Sequence, residues 1–101
     1  MLKKSLLVAG IFMLSASAFA ADGAAVYTAK GCAACHGADA KSPIMPQYPK
    51  IAGQNKEYIA QQLKDIKSGA RNNGQTAAMK GVMAAVSDDD IATLAEYLSG
   101  L

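Results

Sequence analysis

The apolar residues of this chain fall into groups with different spacings, and each spacing predicts a different element. Near the front, Leu6 to Leu14 form one continuous apolar run, preceded by Lys3 and Lys4 and followed by Ala18-Phe19-Ala20. A positive start, an apolar middle and a small-x-small end are the parts of a cleaved secretory signal. The run is about nine residues long, well short of the roughly 18 that a spanning helix needs. The pattern predicts cleavage after Ala20, leaving one domain over 21–101. The junction holds no cysteine for lipid attachment, and no twin arginine precedes it.

Beyond residue 20 the apolar positions become helical in period. Ile59, Leu63 and Ile66 stand at i, i+4 and i+7, which predicts a helix from Lys56 to Ser68, stopped by Gly69. Ile91, Leu94, Ala95 and Leu98 predict a last helix that opens at Ser87, with Asp90 three residues on as a variant capping box. Asp88, Asp89 and Asp90 suit the positive end of its dipole. An earlier helix runs from about Asp22, read as its N-cap, toward the cysteines, with Val26 and Tyr27 as its large apolar residues. Pro43, Pro46 and Pro49 make Gly37 to Pro49 a loop. Asn72-Asn73-Gly74 and Gly81 give the stretch around Met79 a loop-like composition, and Met83 to Val86 read as a short apolar turn. No strand alternation and no internal repeat appears. The predicted class is all-α, three to four helices with long loops.

Composition sharpens this picture. The 101 residues are 51% hydrophobic and 18% charged, which fits one small domain and excludes a disordered tail. Ten basic residues against eight acidic ones are too few and too scattered for a nucleic-acid surface. Removing residues 1–20 leaves 81 residues with eight basic and eight acidic side chains, and with no Phe or Trp. Core material is then twelve Val, Ile and Leu, three Met and four Tyr, alongside seventeen Ala. A domain this small with so little bulk needs a staple or a cofactor.

The cysteines point to that cofactor. Cys32-Ala33-Ala34-Cys35-His36 holds both cysteines and the only histidine of the chain. C-x-x-C-H is the attachment pattern of c-type haem. Two thiols one helical turn apart add across the two vinyl groups, and the adjacent imidazole ligates the iron. The competing readings explain less. A thioredoxin-like pair needs a βαβ context. A disulfide closing a two-residue loop stabilises little and leaves His36 without a role. Zinc wants four ligands, and Asp39 does not complete the set. For the other axial position no second histidine exists, so Met45, Met79 and Met83 are the candidates. Met45 follows His36 too closely to reach the opposite haem face. Met79 is favoured over Met83, which reads better as packing, but the residues alone leave Met83 open.

At this point the chain resembles a small monohaem class I cytochrome c, and most of all the bacterial periplasmic group that includes each half of the dihaem c-four proteins. The resemblance rests on Cys32-Ala-Ala-Cys-His-Gly37, Tyr48-Pro-Lys-Ile-Ala-Gly-Gln54, Tyr58 with Gln62-Leu63, Lys67-Ser-Gly-Ala-Arg71, Met79, Ser87-Asp-Asp-Asp-Ile91 and Leu94-Ala-Glu-Tyr-Leu98. It implies Met79 as the ligand and a hydrogen bond from the His36 ring to the Pro49 carbonyl. It places Ile51 against the haem on the proximal side and Arg71 beside a haem propionate. Tyr48 and Gln54 are either propionate or loop hydrogen-bond partners, or packing. Tyr27 and Tyr97 are implied as the contact between first and last helices. One departure stands out: Tyr27 precedes Cys32 by five residues, where many relatives have four, which predicts a local irregularity at the motif's entrance.

The expected function is periplasmic one-electron transfer by a monomer carrying one haem c through Cys32 and Cys35, with His36 and Met79 on the iron. Its partners would be redox proteins, a membrane-bound or soluble donor and a terminal oxidase or reductase. They would dock transiently at a haem edge near Ala33, Ala34 and Ala38, with no nucleic acid and no membrane span after signal cleavage. The resulting expectation is a carrier and not an enzyme. The competing classes are a five-coordinate haem protein binding a gas or peroxide, and a haem subunit fixed in one enzyme complex.

Overall fold

The computed structural model describes residues 22–101. The signal segment and its cleavage site lie outside the described residues. Five helical segments follow one another: α1 over residues 22–29, α2 Ala33–His36, α3 Lys56–Ser68, α4 Thr76–Met83 and α5 Asp88–Ser99. The described residues contain no strand, so the all-α class holds, with five helical segments where three to four helices are expected. None of these helices is long and apolar enough to cross a membrane.

The two best-patterned helices form where their caps and stripes place them. The Asn55 side chain accepts a hydrogen bond from the Tyr58 backbone N–H at 3.0 Å, opening α3. Gly69 closes it in the left-handed conformation (φ 90°), its N–H donating to the Asp65 carbonyl. At α5 the Ser87 hydroxyl accepts from the Asp90 N–H, and the Asp90 carboxylate accepts from the Ser87 N–H, completing the capping box. Ile59, Leu63 and Ile66 are buried, as are Ile91, Leu94, Ala95 and Leu98, and α3 packs against both α5 and α4. Met83, Val86 and Tyr27 complete this core.

Two local readings are corrected. Thr76 to Met83, read as loop followed by apolar turn, is helix α4. Ala77, Ala78, Met79 and Lys80 are strong helix formers and outweigh Gly81. Burial of Thr76 and Met83 against the core secures the segment. Met79 therefore projects from a helix, and Met83 ends that helix. Asp22, read as an N-cap, is already helical.

The chain turns into the cysteine motif at Gly31, the local irregularity expected there. The Cys32 N–H donates to the Tyr27 carbonyl and the Gly31 N–H to that of Thr28, with Gly31 at φ 81°. This is a Schellman cap, whose left-handed position glycine fills without steric cost. It ends α1 and starts α2 within one turn. Helix α1 lies on α5: the Tyr27 and Tyr97 ring centroids are 5.9 Å apart, and Lys30 pairs with Asp90 at 3.6 Å. Gly23 permits the approach, since a Cβ there would stand 2.3 Å from Tyr97 Cβ.

The proline loop is irregular but anchored. The buried Tyr27 hydroxyl donates to the Gly37 carbonyl at 2.6 Å. Ile51 and Ala52 both donate to the Ala40 carbonyl, at 2.9 and 3.2 Å, and Gly53 donates to Leu98 at 2.8 Å. These bonds carry the segment 48–54 back over the helices, beside His36.

Candidate functional site

A cavity of about 670 Å³ opens between the haem motif, the proline loop, α3 and α4. Its lining includes every residue singled out for the site: Cys32, Cys35, His36, Pro49, Ile51, Arg71 and Met79. Tyr48, Gln54 and Met83 also line it, whereas Met45 does not; Met45 is exposed on the loop. A second hollow, about 710 Å³ between α3 and α5, contains none of the predicted residues.

The wall carrying His36 is built locally. Helix α2 is one turn long, so Cys32 and Cys35 fall on the same side of it and His36 follows at its end. The His36 ring is buried at 7% exposure, and its Nδ1 lies 2.9 Å from the Pro49 carbonyl oxygen. A carbonyl only accepts, so Nδ1 carries a proton, and in the neutral imidazole that leaves the lone pair on Nε2. Such a bond fixes the tautomer and ring orientation of a metal-ligating histidine. Both cysteines are half-buried at the cavity. Burial pushes the Cys32 thiol above its ordinary value, the opposite of the lowered pKa that marks a redox-active thiolate.

The facing elements bring thioethers and a cation. Met79 and Met83 are one turn apart on α4, so both reach the cavity from one helix face. Met79 is half-buried, while Met83 is 1% exposed and belongs to the core. Arg71 is held twice after the end of α3. Its backbone N–H donates to the Asp65 carbonyl at 3.0 Å, and its guanidinium Nη1 donates to Gln62 Oε1 at 3.2 Å.

Gln62 and Thr76 went unassigned in the sequence. Gln62 left a signal, because it is a polar residue inside the apolar stripe of Ile59, Leu63 and Ile66. Thr76 is buried at the cavity's edge but left none, since its segment reads as loop.

The donor set matches a haem of the c type: paired thiols one turn apart, an imidazole with Nε2 free, and thioethers from a separate helix. The cavity volume also falls within the range of cofactor pockets, roughly 300–1,000 Å³. Comparison with known proteins decides the family. Residues 20–101 match the model of the cytochrome c family.

The chain belongs to the cytochrome c family.

This cytochrome is 43% identical over 88 residues to cytochrome c4 of Pseudomonas aeruginosa, an alignment covering 85% of the chain and 42% of that relative. It is 38% identical over 96 residues to a thiosulfate dehydrogenase electron acceptor of Stutzerimonas stutzeri, covering 88% of the chain and 43% of that protein. Among solved structures it superposes on reduced recombinant cytochrome c4 from Pseudomonas stutzeri with a TM-score of 0.72 and 34% identity, over 84% of the chain and 49% of that structure. The cytochrome thus spans about half the length of these relatives. It is a class I c-type cytochrome that resembles one half of cytochrome c4. The family match implies covalently bound haem c as its cofactor.

Proposed function

We propose that this cytochrome is a periplasmic one-electron carrier, exported with cleavage after Ala20, whose haem is attached through Cys32 and Cys35. His36 and Met79 would hold its iron. The observation that carries this reading is the 2.9 Å contact between His36 Nδ1 and the Pro49 carbonyl, on the wall that also bears the two thiols. It leaves Nε2 to bind metal and stops the ring from rotating away.

When bound, haem c supplies an iron that alternates between Fe(III) and Fe(II). The chain's own groups set how easily that happens. Pro49 holds the proton at His36 Nδ1 and raises the basicity of Nε2. The Met79 thioether is a soft donor that favours the reduced ion and raises the potential. With His36 and Met79 both holding the iron, no position would be left for a substrate, so the haem would supply electron transfer and no bond chemistry. Ile51 and the core residues of α3 exclude water, which keeps the charge change from being screened. Arg71 supplies a fixed positive charge beside a propionate.

The relative named as a thiosulfate dehydrogenase electron acceptor supports carriage of electrons away from a donor enzyme. Donor and acceptor dock transiently at the haem edge near Ala33, Ala34 and Ala38 on a monomeric carrier. Residues 21–101 carry eight basic and eight acidic side chains, so charge steering of that encounter is weak.

The test is a visible spectrum and intact mass of protein purified from the periplasm. The expected result is a low-spin c-type spectrum with the weak red sulfur-to-iron band, and a mass equal to residues 21–101 plus one haem. Loss of the red band in Met83→Ala but not in Met79→Ala would transfer the ligand role to Met83. Rapid carbon monoxide binding by the reduced protein would replace the carrier reading with a five-coordinate one.

A further inference from the structure

Arg71 is the one guanidinium of the chain, and it faces a cavity whose other walls are mainly apolar. Among the described residues the ion pairs are Lys30 with Asp90 and Lys56 with Glu96, and neither involves Arg71. Its charge is directed instead by a neutral group, since Nη1 donates to the Gln62 side-chain oxygen at 3.2 Å. Gln62 also lines the cavity, from the stripe of α3 that otherwise carries Ile59, Leu63 and Ile66.

A neutral acceptor in that place has a definite physical meaning. A guanidinium offers five donors, and the Gln62 oxygen engages Nη1, leaving the rest of the fork for another acceptor. A carboxylate at the same position would hold the side chain more tightly and cancel its charge. An apolar residue would leave the charge intact but free the long side chain to swing into solvent, where its field is screened. The amide orients the cation and leaves its charge whole. Below it, the Asp65 carbonyl fixes the Arg71 backbone, so the guanidinium position depends on one side-chain contact.

We propose that Gln62 is a positioning residue for reduction of the haem: it aims the Arg71 guanidinium at the haem propionates and so sets the reduction potential through Arg71. This rests on the reading of Arg71 as a propionate partner. The electron balance is that of a single outer electron entering Fe(III) to give Fe(II). The fixed positive charge favours the added negative charge, so loss of its aim disfavours reduction.

The test is a double-mutant cycle on potentials measured with the holoprotein: Gln62→Met, Arg71→Gln and the combination. Gln62 is half-buried on a helix, and Met is a good helix former, so haem loading is retained. Gln62→Ala serves as a second variant, and the absorption spectrum checks ligation in each. Arg71→Gln is expected to lower the equilibrium constant for reduction about tenfold, which is about 59 mV for one electron. Gln62→Met and Gln62→Ala should each lower it about threefold, which is about 30 mV at that conversion. In the Arg71→Gln background, the Gln62 substitutions should change nothing further. A potential unmoved by Arg71→Gln overturns the propionate reading of Arg71, and the role of Gln62 with it. A shift in Arg71→Gln but none in the Gln62 variants overturns the positioning role alone, as would a Gln62 effect that persists undiminished without Arg71.

Discussion

At the level of single residues, the site depends on a few groups that no periodicity argument could weigh. Tyr27 is 1% exposed and donates its hydroxyl to Gly37, the residue after His36. Burial, before any charge effect, pushes its pKa up to about 12. A raised pKa means that the folded state holds the proton more tightly than the unfolded chain. The associated stability is complete below about pH 10, the unfolded value, and is lost as pH rises toward 12. Tyr27→Phe should lower stability by about 1 kcal/mol near neutral pH, as expected for one lost hydrogen bond. Its denaturation midpoint should also fall less steeply between pH 10 and 12 than that of the unaltered protein. Gly37 itself is at φ 88°, and a Cβ there would stand 2.3 Å from the Ser42 carbonyl oxygen. Backbone cannot yield as a side-chain tip can, so Gly37→Ala should cost about 2 kcal/mol or more, read as a lowered denaturant midpoint of the haem-loaded protein. The sequence declared Cys32, Cys35 and His36 openly, because attachment chemistry demands one spacing. It left Gln62 without a role, because a hydrogen bond nine residues along the chain depends on how α3 ends.

At the level of elements, helices were legible where a cap and an apolar stripe agreed. Lys56–Ser68 shows this, with Asn55 opening it and Gly69 closing it. Helix α4 was hidden because Asn72, Asn73 and Gly74 precede it, Gly81 lies within it and its alanines present no stripe; propensity together with burial against the core decides its structure. The capping box of α5 yields a prediction about acid. Its hydrogen bonds, first the one from the Ser87 N–H, hold the Asp90 carboxyl below the ordinary carboxylate value. A lowered pKa stabilises the fold above about pH 4, the unfolded value, and this contribution disappears as pH falls through the folded one. Asp90→Asn should therefore flatten the acid limb of the stability profile, measured by thermal denaturation from pH 7 down to pH 3. Ser87→Ala should cost about 1 kcal/mol at neutral pH, the usual value of a lost N-cap.

At the level of the whole molecule, the scarcity of bulky side chains and the cavity are the same fact. Tyr27 is the one aromatic residue among the largest fully buried side chains, and about 670 Å³ beside that core is left for a flat aromatic group. A chain with Cys32 and Cys35 both replaced by Ala should lose covalent haem and, in haem-free form, lack a cooperative thermal transition by circular dichroism. Reduction by a donor protein should slow only modestly as ionic strength rises, because eight basic side chains balance eight acidic ones over 21–101. A steep dependence would show a charged docking face that the even balance conceals.

The contact between α1 and α5, through Tyr27, Tyr97 and the Lys30–Asp90 pair, joins the beginning of the domain to its end. Synthesis delivers Cys32, Cys35 and His36 ahead of α5. Until the final helix arrives, Tyr27 has no Tyr97 to pack on, and the segment bearing the thiols stays open to whatever attaches the haem. Helix α5 therefore contributes directly to holding the thiol-bearing segment in place. A chain cut off before Asp88 should remain in the open stage, with the segment around Cys32 readily cleaved by protease even after haem has been attached.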